Sequence, residues 1–214
     1  MKLKEVFDNS KKEFSTNNLY DEYNLITGID EVGKGCVAGC VTVGLVTLDK
    51  DCLYIPEVTD SKKLSEKKRE YLYDKIIDNC VEYQIISQSA EEIDRNGIDY
   101  SILTCMDIGI SLLKRSPNMI IVDHISGFKI PNIKTISQPK ADLNYYCVGA
   151  SSIIAKVFRD RLMVELSKTY PDYLFENHKG YGTTKHIDMI KKIGRIDGVH
   201  RKSFRIKGID YNII

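Results

Sequence analysis

The chain has 214 residues, 43% of them apolar and 29% charged, with a formal net charge of +1. That size and composition suit one sizeable globular domain and exclude a disordered polyelectrolyte. The N-terminal MKLKEVFDNSKKEF has no apolar signal core, no run nears the ~18 apolar residues of a membrane span, and six cysteines include no CxxC pair, so a cytoplasmic protein with reduced thiols and no membrane contact is expected.

In chain order, residues 1–24 are expected to form a polar, helical N-terminal arm. Residues 25–31 and 40–48 are rich in β-branched side chains and read as strands, with Gly33, Gly35 and Gly39 marking a hairpin-like connection. Ser65 is a predicted N-cap for a helix running to about Cys80, with Leu72, Ile76 and Ile77 on its apolar stripe. Residues 81–88 alternate like a strand. Apolar residues at Ile102, Leu103, Met106, Ile110 and Leu113 give residues 99–114 a helical period. Residues 118–123 form a short apolar run of the buried-strand kind, and residues 132–137 a further strand. A long helix over residues 143–168 carries Gly149, Ala150, Ser151 and Ser152 and is stopped by Pro171; a last helix spans 184–193 and ends at Gly194. This order predicts an α/β fold, a mixed central sheet flanked by helices. The expected organisation is a core over 25–170 and a basic helical segment over 171–214, in one compact domain.

Acids end several of the predicted strands. Asp30 and Glu31 close the first, Asp123 closes the run Ile120-Ile121-Val122, and Asp142 follows the 132–137 strand at the head of the long helix. Ligands gather at strand ends in α/β sheets, and converging carboxylates without a paired cation cannot all stay ionised unless a divalent metal neutralises them. Oxygen donors suit Mg²⁺ or Mn²⁺, and no Cys/His spacing points to zinc. Taken singly, Asp142 also reads as a helix N-cap and Asp123 as a turn residue. Asp160, between Arg159 and Arg161, reads as part of a surface ion pair. From Lys179 to Lys207 nine Lys/Arg face only Asp188 and Asp197, either a footprint for a polyanion or a solvated basic face.

Six strings in this order resemble the ribonuclease HII family: GIDEVGKG (28–35), DSKKLSEKKRE (60–70), IVDH (121–124), KADLNYYCVGASSIIAKVFRDRLM (140–163), HKGYGTTKH (178–186) and HRKSF (200–204). The resemblance implies a ribonuclease H-like fold whose C-terminal helical segment lines a substrate groove. It implies an endoribonuclease that cuts the RNA strand of RNA–DNA hybrids and incises 5′ of single ribonucleotides in duplex DNA, leaving 3′-hydroxyl and 5′-phosphate ends. Its partners would be those nucleic acids, bound by a monomer.

The resemblance further implies that Asp30, Glu31, Asp123 and Asp142 are the catalytic metal ligands, holding two Mn²⁺ or Mg²⁺ ions. Gly33, Lys34 and Gly35 would approach the 2′-hydroxyl, and Tyr181 would stack on the sugar beyond the ribonucleotide. Lys62, Lys63, Lys179, Arg201 and Lys202 would hold phosphates. Three departures stand out: Lys34 where the family usually has Arg, Cys36 and Cys40 in place of prolines, and His124 where a glycine usually follows the third acid. The CxxxC spacing of Cys36 and Cys40 leaves a redox or metal role open beside a packing role. Ribonuclease HIII, a rival of the same fold, normally carries an additional N-terminal substrate-binding domain, and the residues before 25 are too few for one.

Overall fold

The computed structural model describes residues 2–3, 19–123, 125, 128–206 and 208–210. Most of the expected N-terminal arm, and His124, lie outside the described residues. The described helices are α1 (Leu19–Glu22), α2 (Glu66–Asn79), α3 (Ala90–Asn96), α4 (Ile98–Ser111), α5 (Ala141–Asn144), α6 (Tyr146–Thr169), α7 (Phe175–His178) and α8 (Thr184–Ile193). The strands are β1 (Leu25–Val32), β2 (Val41–Asp49), β3 (Glu82–Gln88), β4 (Met119–Asp123) and β5 (Lys134–Gln138).

The strands form one sheet in the order β3-β2-β1-β4-β5, with β1 parallel to β4 and β4 parallel to β5. The chain divides into two compact units that interleave along the sequence. One comprises Met1–Asp30, Val43–Ile86 and Met106–Val157; the other Glu31–Thr42, Ser87–Cys105 and Phe158–Ile214.

In the first unit, helices α2 and α6 share a core with residues of the sheet. Ile26, Val46 and Ile121 pack with Leu72 and Ile76 of α2 and with Ile153, Ile154 and Val157 of α6. Ser65 caps α2, its hydroxyl accepting from Lys68 N at 3.3 Å. Ile77 is only partly buried, so the stripe of α2 is narrower than its periodicity suggests. Helix α6 rests directly on β1. A Cβ at Gly28 would stand 2.2 Å from the Cys147 carbonyl carbon, and Ser151 Oγ donates to Gly28 O at 2.7 Å. The small residues at the start of α6 are what let helix and strand backbones come this close.

Three elements depart from the sequence expectations. Helix α3 forms from a charged stretch that buries only Ala90 and Ile93, opened by a capping box in which Ser89 Oγ accepts from Glu92 N while the Glu92 carboxylate accepts from Ser89 N. The long helix is two pieces: Tyr145 is extended (φ −132°, ψ 119°) and ends α5 before α6 begins. The link between β1 and β2 is not a simple hairpin. Within the second unit, Cys36 bridges Tyr181 and Ala38 bridges His200, so the glycine loop pairs with distant segments instead of with itself.

The second unit has its own core, with Ala38, Met163, Tyr173, Phe175, Ile190 and Ile206 in contact. Helix α8 begins at the Thr183 cap and ends at Gly194 (φ 89°), matching its expected span.

Gly28→Ala should lower stability by about 1–3 kcal/mol or more, because the new methyl meets backbone that cannot rotate away. Urea unfolding checks this; an unchanged midpoint would show that α6 is not seated on β1 as described.

Candidate active site

The register of β1 on β4 pairs Ile26 with Met119 and Ile29 with Val122. One step further brings Asp30 beside Asp123, at the carboxyl ends of adjacent parallel strands, whose backbones lie about 4.8 Å apart. Alternation along β1 puts Asp30 on the same face as Gly28, the face covered by α6. Asp142 stands in the first turn of α5, which leads into that helix. It is not the N-cap: Lys140 occupies that position in the left-handed region (φ 60°) and makes no side-chain cap bond.

Asp30 and Asp142 are buried and Asp123 is partly so. Asp123 Oδ1 accepts from Ala141 N at 3.2 Å, tying the end of β4 to α5. Burial pushes the Asp142 carboxyl above the usual carboxylate range, and the charges of Asp60 and Asp123 push it further; Lys62 and the Leu143 N–H oppose the rise. Asp60 is thus a further acid near Asp142 in the first unit. Its carboxylate accepts from Lys62 N at 2.9 Å and caps the 3₁₀ turn Ser61–Lys63.

Among the described residues no three His, Cys, Asp or Glu side chains stand close enough to enclose a metal ion. The donor chemistry nonetheless fits a hard divalent cation. The donors are carboxylate oxygens only, and a cation would offset both the burial and the neighbouring charges that raise Asp142.

The remaining site residues expected from sequence, beyond Lys62 and Lys63 of the first unit, lie in the second unit. Glu31, next along β1, is turned by strand alternation to the opposite face from Asp30. Lys34 Nζ pairs with Asp99 Oδ1 at 2.7 Å, and that bond, with a smaller contribution from the Glu31 charge, holds the Lys34 ammonium above its ordinary pKa. Gly33 has φ 90°, a conformation that excludes a side chain, whereas a Cβ at Gly35 would meet open space. Tyr181 is half-buried; burial pushes its phenol up to about 12, with Cys36 and Asp160 among its neighbours. Asp160, expected on the surface, is 5% exposed. Cys36 and Cys40 are free thiols, the first buried with its Sγ 3.8 Å from Lys179 O.

Arg201 requires a correction. Expected on a phosphate, it is 0% exposed and donates to Lys34 O, Gly39 O and Cys40 O, each at 3.0 Å. A guanidinium used in this way has no reach to solvent. Lys179 is also buried, its ammonium on Glu176 O, whereas Lys202 is exposed and 3.1 Å from Asp197. In the first unit Lys62 and Lys63 are exposed.

The sequence profile of the Ribonuclease HII family matches residues 27–207. A ribonuclease HII of Mycoplasma capricolum is 41% identical over 181 residues, covering 84% of this chain and 86% of that protein. Among solved structures, the ribonuclease H2 of Pyrococcus horikoshii superposes with a TM-score of 0.71 at 27% identity, covering 85% of this chain and 94% of that one. The ribonuclease HII of Archaeoglobus fulgidus, solved in complex with PCNA, gives 0.69 at 29% identity, covering 86% and 96%. No described helix is long and apolar enough to cross a membrane.

Three histidines beneath Tyr181 form a network whose tautomers follow from their partners. His178 Nδ1 accepts from Gly180 N, so its Nε2–H donates to Tyr173 O at 2.8 Å. His200 Nδ1 accepts from Ile196 N at 2.8 Å, so its Nε2–H donates to His186 Nε2 at 3.1 Å. His186 Nδ1–H then donates to Tyr181 O at 2.9 Å. Each ring has one nitrogen accepting, so none can take a proton without losing a bond. Burial agrees in sign, pushing His186 and His200 down to about 4 and His178 below its ordinary value. With folded pKa values below the unfolded value of about 6.5, the network contributes its full stability above that pH and loses it as pH falls toward 4. The melting temperature should therefore drop between pH 6.5 and 5, where most carboxylates are still ionised. A flat profile there would mean the rings are not held neutral.

Proposed function

Because the chain belongs to the ribonuclease HII family, we propose that it is a type 2 ribonuclease H that hydrolyses the RNA strand of RNA–DNA hybrids and incises duplex DNA 5′ of a single ribonucleotide, leaving 3′-hydroxyl and 5′-phosphate ends. The observation that carries the chemistry is the parallel β1–β4 register, which sets Asp30 beside Asp123 with the destabilised Asp142 carboxyl near the latter. Asp30, Asp123 and Asp142 would hold Mg²⁺ or Mn²⁺ through their carboxylate oxygens. Bound there, the ions supply a water nucleophile at neutral pH and offset charge on the departing 3′-oxygen.

The protein's own part is to orient and discriminate. The backbone of Gly33, Lys34 and Gly35 would lie against the ribose, where the 2′-hydroxyl is the one group that separates RNA from DNA. Its glycine conformation at Gly33 favours such an approach. Tyr181, half-buried and held at its carbonyl by His186, would present its ring to the neighbouring sugar. Lys62, Lys63 and Lys202 would contact phosphates, which set register without reading sequence.

Asp30→Asn should reduce cleavage of a duplex carrying one ribonucleotide by more than the roughly 10–100-fold that loss of an outer-shell partner costs, while hybrid binding persists. Full-rate cleavage by this variant in Mg²⁺ would remove Asp30 from the chemistry, and wild-type cleavage undiminished by EDTA would remove the metal requirement. Tyr181→Ala should impair incision at a lone ribonucleotide more than cleavage of a long hybrid; equal losses on both would take the ring off the junction.

A further inference from the structure

The loop from Gly33 to Cys40 follows a path that its own hydrogen bonds do not account for. Its donors are used by distant backbone: Val37 N and Ala38 N donate to Gly180 O, and Gly39 N donates to Val199 O. Gly33 O accepts from Cys36 N and Val37 O from Arg201 N, and the side chains of two buried arginines take the carbonyls of Lys34, Ala38, Gly39 and Cys40. Arg159 donates from Nε to Cys40 O at 2.8 Å, from Nη1 to Lys179 O at 2.8 Å and from Nη2 to Ala38 O at 3.1 Å. Arg201 donates from its three nitrogens to Gly39, Lys34 and Cys40. Both side chains are 0% exposed, and Cys40 O receives one bond from each.

Each guanidinium spans the loop from its glycine end to Cys40. A Cβ at Gly33 would lie 2.3 Å from Arg159 Nε, so the first residue of the glycine motif sits directly on that side chain. Arg201 holds the carbonyl of Lys34, the next residue. Its other side packs on Phe204, whose ring centroid is 4.9 Å from Cζ. The segment that carries Arg201 is itself pinned by Asp94, which accepts from Lys202 N, Ser203 N and Ser203 Oγ. A planar fork with donors in fixed directions can hold three carbonyls at once; an ammonium on a flexible stem cannot reproduce that geometry.

We infer that Arg159 and Arg201 are positioning residues: a guanidinium clamp that fixes the backbone of Gly33-Lys34-Gly35 for its approach to the ribonucleotide. The inference rests on the ribonuclease reading above. The clamp acts on the reaction through the loop, touching neither substrate nor metal. Burial pushes the Arg201 guanidinium down to about 10, which still leaves it charged at neutral pH, as the clamp requires.

The test compares wild type with Arg159→Lys and Arg201→Lys on a duplex carrying one ribonucleotide, with kcat and KM measured separately and melting curves recorded alongside. In variants still folded at the assay temperature, kcat should fall about 10–100-fold with KM within about twofold, the signature of a displaced reacting geometry. Folded variants with wild-type kcat overturn the clamp. If neither arginine variant folds, Asp94→Asn loosens the Arg201 segment without removing the guanidinium. A lower kcat at unchanged melting temperature then supports the clamp, and an unchanged kcat overturns it. Failure of wild type to cut the ribonucleotide duplex would instead sink the ribonuclease reading, and the inference with it.

Discussion

Two carboxylates at the ends of neighbouring parallel strands are the constraint on which the site is built. Ionised acids at the exit of a buried sheet are costly, and the register that pairs Ile29 with Val122 brings Asp30 to Asp123. Burial pushes the neighbouring Asp142 carboxyl up, and the charges of Asp60 and Asp123 add to the rise. Such an arrangement is tolerable only where the rest of the structure enforces it. Here α6 is seated on Gly28 with no room for a methyl group, and Asp123 is bonded to the first residue of α5. The helix that covers the sheet and the short helix that carries Asp142 are thus each tied to a strand of the sheet.

The second unit solves a different problem. A loop in glycine conformations presents carbonyls that no regular element satisfies, and a buried unsatisfied carbonyl costs about 1–3 kcal/mol. Two arginines with three donors each remove that cost and at the same time determine where the loop lies. Burying guanidiniums to this extent is itself expensive unless their N–H groups are bonded. The loop and the arginines are therefore mutually dependent, and neither is stable in this form without the other.

The histidine network beneath Tyr181 obeys the same rule in uncharged form. Every ring nitrogen with an assigned partner is matched to a donor or an acceptor, which requires neutral rings. The backbone of Tyr181 is attached to this network, so the residue expected at the substrate sugar is held by groups that acid would disrupt.

Much of this was legible in the sequence because it is local. The β-branched runs became β1, β2 and β4, Ser65 and Thr183 cap the helices they precede, and acids at strand ends remained at strand ends. The capping box of α3 was also local, yet a charged stretch that buries only Ala90 and Ile93 hid it. What only the tertiary structure decided is where long side chains go. Arg201 reads in sequence as a surface cation in a basic segment, but its guanidinium bonds Gly39, 162 positions away. Asp160, between two arginines, reads as a surface ion pair and is buried beside Tyr181. Periodicity and capping report interactions within a few residues along the chain. The partner of a buried charge is chosen by which distant backbone groups packing leaves unsatisfied, and that information exists only once the chain has folded.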